Sequence, residues 1–351
     1  MDFSLFYFAD NGSATTDRYR LLIEGARFAD SHGFTAVWTP ERHFHSFGGQ
    51  YPNPAVTGAA VAAVTERVAI RAGSVVAPLH HPVRIAEEWA VVDNLSGGRA
   101  GISFASGWHA VDFALRPENY ADRKHVLTDT IETVRRLWRG ESVELADGAG
   151  APVQVRVYPA PVQPDLPVWL TSAGSPDTFR HAGELGVGVL THLLGQDLDD
   201  LAKKIAVYRQ AFRARNAAGG DGHVALMLHT FLGADREEVR EIVREPFSDY
   251  LRSSIGLIMR ASGDLLPDVK PEDMDPEDVE FLVERSFDRY FETGGLFGTV
   301  EDGMPVLARL AEVGVDEVAC LIDFVSDTDA VLGSLDYVDK LRAASHTEPS
   351  Y

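Results

Sequence analysis

The feature that most constrains this chain is a rhythm: short, β-rich apolar runs alternate with amphipathic helical stretches along its length. The runs fall at residues 3–8, 35–38, 68–76, 101–105, 168–172, 188–193, 224–232 and 317–323. Between them, Leu21, Gly25 and Phe28 share one helical face, as do Leu127, Ile131, Val134 and Trp138, and again Leu201, Ile205, Tyr208 and Phe212. Such alternation predicts an α/β fold with a parallel sheet clad in helices. Eight strands favour a closed (β/α)8 TIM barrel over an open doubly wound sheet. The first strand runs into Ala9-Asp10-Asn11-Gly12 rather than a Gly-x-Gly-x-x-Gly turn, so a dinucleotide site is not expected there.

Two segments interrupt the rhythm. Residues 140–167 are rich in Gly and Pro around a β-like piece at 153–158, which reads as an inserted hairpin. Residues 236–303 form a helical excursion before the last strand, broken at Pro267, Pro271 and Pro276. Within it, residues 264–302 hold 13 acids against 3 bases, a net of −10, and read as a solvated lid or spacer. The expected organisation is one barrel domain over residues 1–345 with a short tail at 346–351.

Charge and composition narrow the partners. The formal net charge of −21 repels phosphodiester backbones and anionic lipid surfaces, so neither nucleic acid nor membrane is an expected partner. A single cysteine, Cys320, allows no internal disulfide and fits a reducing cytoplasm. The first residues carry no basic segment followed by an apolar one, and no apolar run approaches the roughly 18 residues of a membrane span. A soluble cytoplasmic protein is expected.

In a barrel of this kind chemistry gathers where strands end. The second strand leads into Glu41-Arg42-His43-Phe44-His45, which places an acid, a guanidinium and two imidazoles at one mouth. Trp108-His109 after the fourth strand, His192 after the sixth and His229 in the seventh point to the same end. A metal reading, with His43 and His45 joined by His192, His229 and Asp323, resembles metal-dependent amidohydrolases. It lacks their bridging lysine, and no metal is expected. The fifth strand ends in Thr171-Ser172-Ala173-Gly174-Ser175-Pro176-Asp177-Thr178 and a helix follows. Small Ala173 and Gly174, the Ser175 and Thr178 hydroxyls and free N–H groups read either as an ordinary helix N-cap or as an anion site, for which Arg123 is a candidate cation unless it serves a surface salt bridge. In the third strand Gly73-Ser74 permits a bulge or a flat ligand over bare backbone.

Taken together these pieces resemble the bacterial luciferase-like flavin monooxygenases, and more closely those of natural-product biosynthesis beside polyketide and nonribosomal peptide assembly lines. The resemblance rests on Glu41-Arg42-His43-Phe44-His45, Tyr51-Pro52-Asn53-Pro54, His81-Pro82-Val83-Arg84, Ala105-Ser106-Gly107-Trp108-His109, Pro167-Val168-Trp169-Leu170-Thr171, Thr191-His192-Leu193-Leu194-Gly195-Gln196 and Leu228-His229-Thr230-Phe231. It implies a barrel that binds reduced FMN (FMNH2) from a separate flavin reductase. Reaction with O2 would give a C4a-(hydro)peroxyflavin that oxygenates a small-molecule or carrier-protein-bound substrate.

By position, the resemblance assigns the FMN phosphate to Arg123, Ser175 and Thr178, and a cis peptide beneath the isoalloxazine to Gly73-Ser74. Arg42 stands where luciferases carry the first of two histidines, and His43 matches the second. Ala105 replaces their reactive cysteine, so light emission from an aldehyde is not expected. Arg42 can stabilise a peroxide anion but is no base, which leaves His43, His45 or His109 for proton transfer. Trp108, Phe44 and Phe47 are candidates to wall the ring or substrate. A homodimer through residues 54–64 and 84–95 is the implied assembly. The alternatives are a coenzyme F420-dependent oxidoreductase on the same barrel and a flavin-binding relative without turnover.

Overall fold

In the computed structural model, residues 1–8, 17–45, 49–216, 219–253 and 275–347 are described. Eight parallel strands close a ring: β1 (Asp2–Phe6), β2 (Ala36–Thr39), β3 (Ala69–Val76), β4 (Ala100–Ala105), β7 (Val168–Ser172), β8 (Gly188–His192), β9 (Val224–Leu232) and β11 (Glu317–Leu321). Each pairs with the next, and β11 pairs with both β9 and β1, so the sheet has no open edge. The closed (β/α)8 barrel is therefore the fold, and no expected strand end differs by more than two residues. Strands buried on both faces must be apolar throughout, which is why β9 is buried at all nine positions.

Helices clad the ring between strands. α1 spans Arg20–Ser31, α2 Pro54–Ala62, α3 Pro82–Ser96, α4 Arg123–Trp138, α5 Pro176–Leu185 and α6 Leu198–Arg215. Local chemistry sets their ends. Asn53 caps α2 by accepting from the Ala55 and Val56 N–H groups, and Asp197 caps α6 through Asp200. Leu127, Ile131, Val134 and Trp138 form the buried stripe of α4, as their spacing predicts.

The inserted hairpin is β5 (Val143–Ala146) paired antiparallel with β6 (Pro152–Val155). The β-like piece expected at 153–158 is shorter because the chain turns inward after Val155, burying Val157 and Leu166. The buried Asp93 of α3 ties this segment down by accepting from the Val162 and Gln163 N–H groups at 2.7 and 3.0 Å and from Gln163 Nε2 at 2.7 Å.

The excursion contains α7 (Arg236–Ser253), α8 (Pro276–Arg289) and β10 (Leu296–Gly298), which pairs with the outer end of β9. Pro267 and Pro271 lie outside the described residues. Pro276 starts α8 instead of breaking a helix. Part of the acidic run expected to be solvated is paired: Arg236 meets Glu292 at 2.8 Å and Asp302 at 3.0 Å, and Arg252 meets Glu280 at 2.7 Å. α9 (Val300–Glu312) opens on a Thr299–Asp302 capping box, and α10 (Thr328–Thr347) closes the described chain.

One end of the barrel is plugged by charge. Glu317 of β11 is 0% exposed. Its Oε1 accepts from Ser4 Oγ at 2.5 Å and Trp38 Nε1 at 2.9 Å, and its Oε2 from Arg71 at 2.7 Å. The Arg71 guanidinium lies 4.9 Å from the Trp38 ring and 4.5 Å from that of Trp169. Five strands are tied by this one cluster. Burial opposes the Glu317 charge, but Arg71, His223 and the two hydrogen bonds outweigh it and hold the carboxyl below its usual range. Glu317→Gln leaves Arg71 buried without its counter-ion and is expected to cost about 3 kcal/mol in denaturant unfolding. Adding Arg71→Met should recover a large part of that loss. An undiminished loss in the double variant would show that the ion pair is not what holds this end.

Candidate active site

At the opposite end, the carboxyl ends of the strands surround a cavity of about 700 Å³. Its floor comes from Phe6, Gly73-Ser74, Ala105, Leu170-Thr171 and Leu190, and its rim from the loops after β2, β4 and β7 and from Tyr250 of α7. The volume suits a cofactor-sized ligand.

The floor is low because its residues are small. A Cβ on Gly73 would lie 2.6 Å from Phe6 Cε2, so only glycine lets β3 pass this close to β1. The Gly73–Ser74 peptide is cis, and the β3–β4 register slips between Gly73 and Val75. Ser74 Oγ and Ser103 Oγ both meet Thr171 Oγ1, at 2.5 and 2.6 Å, linking β3, β4 and β7 beneath the cavity. At the rim Gly107 adopts φ +76°, and a Cβ there would meet Phe113 at 2.8 Å and Val76 at 2.9 Å.

Glu41 organises the β2 side. Its buried carboxylate accepts from His43 Nε2 at 2.8 Å, His80 Nε2 at 2.6 Å and the Val76 N–H at 2.7 Å. Burial disfavours its charge, yet these three donors prevail and keep the carboxyl below its normal range. Burial also opposes protonation of His80, but the Glu41 hydrogen bond and charge win and raise its pKa.

Arg42, Trp108 and His109 line the cavity, whereas His43 and His45 do not. His43 is held beneath by Glu41, and the exposed His45 ring lies 6.5 Å from that of His109. Of the three histidines considered for proton transfer, His109 alone reaches the cavity. Its ring sits 3.6 Å from that of Trp108. The Arg42 guanidinium lies 5.7 Å from the Phe8 ring and 5.9 Å from Trp108. Asp112, which sequence reasoning missed, also faces this space. Burial raises its pKa against the pull of His43 and Arg42. Phe44 is 61% exposed and away from the cavity, and Phe47 lies outside the described residues.

The anion end lies where α4 and α5 begin. Ser175, at the N-cap of α5, makes no side-chain capping bond. Ser175, Thr178 and Ala173 all line the cavity. Gly174, at φ +107°, carries the turn between them without lining it. Arg123 does not line the cavity: its guanidinium donates to the Tyr120 carbonyl at 2.9 Å and lies 4.7 Å from the Tyr120 ring. Its neighbour Lys124 does line it, with His125, Thr128 and His181. The adjacent basic residue was the available signal, but helical phase within one turn separates the two.

His192 and His229 share the β8–β9 side. The former lines the cavity, and the latter packs with ring centroids 4.2 Å from Tyr250 and 4.6 Å from Phe247. Among the described residues His229 Nε2 has no hydrogen-bond partner. Burial pushes His192 down to about 4. Burial, with a smaller contribution from His192, takes His229 to about 3. The metal set of His43, His45, His192, His229 and Asp323 does not assemble. Among the described residues the groups with metal-ligand spacing are Glu41–His43–His80 and Asp2–His223–Glu317, and Asp323 instead accepts from the Phe8 N–H at 2.9 Å.

Unfolded imidazoles take up protons near pH 6.5, while His192 and His229 stay neutral in the fold, so the unfolded chain binds more protons below that pH. Stability is expected to fall as pH drops from 6.5 towards 4.5, each imidazole contributing about 1.4 kcal/mol per pH unit. Glu41 and Glu317, whose pKa values are lowered, act only at more acid pH. His229→Gln should flatten this limb in denaturant titrations; an unchanged slope would place the proton uptake elsewhere.

Comparison with known proteins agrees with this geometry. The sequence profile of the luciferase-like monooxygenases matches residues 1–317. The chain is similar to the oxygenase component of the flavin-dependent trigonelline monooxygenase of Acinetobacter baylyi, with 29% identity covering 69% of this chain and 68% of that one. It is also similar to the F420-dependent glucose-6-phosphate dehydrogenase of Amycolatopsis mediterranei, with 31% identity covering 49% of this chain and 53% of that one. Among solved structures, the monooxygenase RslO1 from Streptomyces bottropensis superimposes with a TM-score of 0.77 at 22% identity, covering 99% of this chain and all of that one, which shows a shared fold. A profile match over nine-tenths of the sequence, on a barrel with its cavity at the strand ends, is decisive: the chain belongs to the luciferase-like monooxygenase family.

Proposed function

We propose that this protein is the oxygenase component of a two-component FMN-dependent monooxygenase, receiving reduced flavin from a separate reductase. The observation that carries the reading is one cavity with an uncapped helix start at one end and a bare-backbone floor at the other. Membership of the family and similarity to a protein described as an oxygenase component support it. Reduced flavin, when bound, supplies the electrons that activate O2 for oxygenation of an organic substrate.

The chain's residues divide the remaining work. The Ser175 and Thr178 hydroxyls and the Asp177 N–H hold the phosphate, with Lys124 as the facing cation. Arg123 reaches the same anion by swinging off Tyr120. Ala173 and Gly174 let the ribityl chain run against backbone. Gly73, Ser74 and Ala105 support the ring, which larger side chains there would lift. Arg42, buried and always charged, stabilises negative charge developing on oxygen beside it. Trp108 excludes water from that point. His109 moves the proton at the rim, while Glu41 with His43 and His80 positions the Arg42 segment.

The assembly we propose is a homodimer through α2 and α3, which expose Val56 (66%) and Leu95 (57%). No described helix is long and apolar enough to cross a membrane, and a cytoplasmic site of action is part of the proposal. The natural-product setting, with a free or carrier-bound substrate, comes from the sequence resemblance.

Anaerobic titration with FMNH2 and with reduced F420, followed by oxygen-electrode measurement, tests the reading. FMNH2 is expected to bind and to give oxygen uptake. The double variant Ser175→Ala, Thr178→Ala should lose at least about tenfold in FMN affinity while riboflavin binding changes little, since only the phosphate contacts are removed. Tight F420 binding without oxygen uptake on FMNH2 would establish the F420-dependent alternative, which the similarity to the Amycolatopsis enzyme favours.

A further inference from the structure

With the flavin assigned to the α4–α5 end and the Gly73–Ser74 floor, one stretch of the cavity wall has no role. It is the β8–β9 side, formed by His192, Leu194, Met227 and Tyr250. We infer that this side is the substrate's subsite, and that His192 selects a neutral carbonyl oxygen there through a fixed Nε2–H donor.

The tautomer follows from geometry. The Leu194 N–H donates to His192 Nδ1 at 3.1 Å, so Nδ1 is an acceptor and the ring proton of the neutral imidazole sits on Nε2. No described residue accepts from Nε2, and the imidazole lines the cavity. The donor is held in place from behind. Gln196 Nε2 donates to the His192 carbonyl at 2.5 Å and to Thr191 Oγ1 at 3.3 Å. Lys204 fixes Gln196 Oε1 at 2.7 Å, and Thr191 Oγ1 donates to the Ser172 carbonyl at 2.9 Å. Such a donor is pre-organised and loses little freedom on binding.

Its charge state selects the acceptor. Burial keeps His192 neutral at physiological pH, and the buried His229 behind it is neutral as well. An uncharged N–H satisfies an uncharged carbonyl; the cation on this side, Lys204, is bonded to Gln196 Oε1 outside the cavity lining, so a carboxylate here would lose its water without a counter-ion in contact. Arg42 follows β2, four strands from β8 in the ring of eight; it comes close to Tyr250 at the edge of this wall and has Asp112 as its own nearby carboxylate. Met227, Leu194 and Tyr250 supply apolar contact for the carbon skeleton beside the carbonyl. The substrate class is thus a neutral, partly apolar carbonyl compound.

The inference rests on the flavin reading above, and the test separates the two. Protein loaded with oxidised FMN is titrated by ligand-observed NMR with cyclohexanone, cyclohexanol and cyclohexanecarboxylate, in wild type, His192→Leu and His192→Gln. The ketone is expected to bind wild type more tightly than the carboxylate. His192→Leu should weaken it about tenfold, the worth of one hydrogen bond, and the side-chain N–H of His192→Gln should restore much of that. FMN affinity should be the same in all three proteins. Equal ketone affinity in wild type and His192→Leu, a preference for the carboxylate, no saturable ketone binding, or a loss of FMN in place of ketone would each overturn the inference alone. A wild-type protein that takes up no FMN would sink the flavin reading and this inference with it.

Discussion

A carboxylate sealed from water and answered by a guanidinium between two indoles is the constraint on which this barrel depends. Glu317 and Arg71 draw side chains from five strands into one contact at the amino ends of the strands. A buried pair of this kind adds little net stability, but losing one partner is costly, so the strands are held to one arrangement. With that end filled by polar and aromatic groups, the interior can stay hollow only at the other. The cavity and the plug are two consequences of one distribution of residue sizes along the strands: Trp38, Arg71 and Trp169 below, Gly73, Ser74 and Ala105 above.

The rim repeats the device with a different purpose. The Glu41 side chain is as inaccessible as that of Glu317, but its partners are two imidazoles and a backbone N–H, not a guanidinium. The neighbouring Arg42 faces the cavity beside Trp108, with Asp112 as a nearby carboxylate. The rim on the β2 side therefore carries charge, while the residues that line the β8–β9 wall, His192, Leu194, Met227 and Tyr250, are uncharged.

Much of this was legible in the sequence, for physical reasons that differ by element. Parallel strands buried on both faces read as unbroken apolar runs, so β9 and β7 were bounded to the residue. The small residues of Thr171–Ser172–Ala173–Gly174 and the Gly73-Ser74 pair were readable because backbone approach has few substitutes. Side-chain direction was not. Arg123 and Lys124 are adjacent in the chain and both basic, and only the phase of α4 puts the second in the cavity. His43 follows a strand end that points to the cavity, but its hydrogen bond to Glu41 turns it away from the lining. Asp112 carries no motif, and its significance is created by burial near Arg42, which no local pattern reports. The Glu317 plug was invisible because its partners, from Ser4 to His223, are scattered across the sequence.

The central claim is that one cavity takes the flavin with its phosphate at the start of α5 and its ring over the third and fourth strands. A crystal structure of the protein soaked with FMN measures this directly. The account predicts phosphate density within hydrogen-bond distance of the Ser175 and Thr178 hydroxyls, and the isoalloxazine lying on Gly73–Ser74 and Ala105. Density for the phosphate away from α5, or a ring lying outside the barrel mouth, would contradict it.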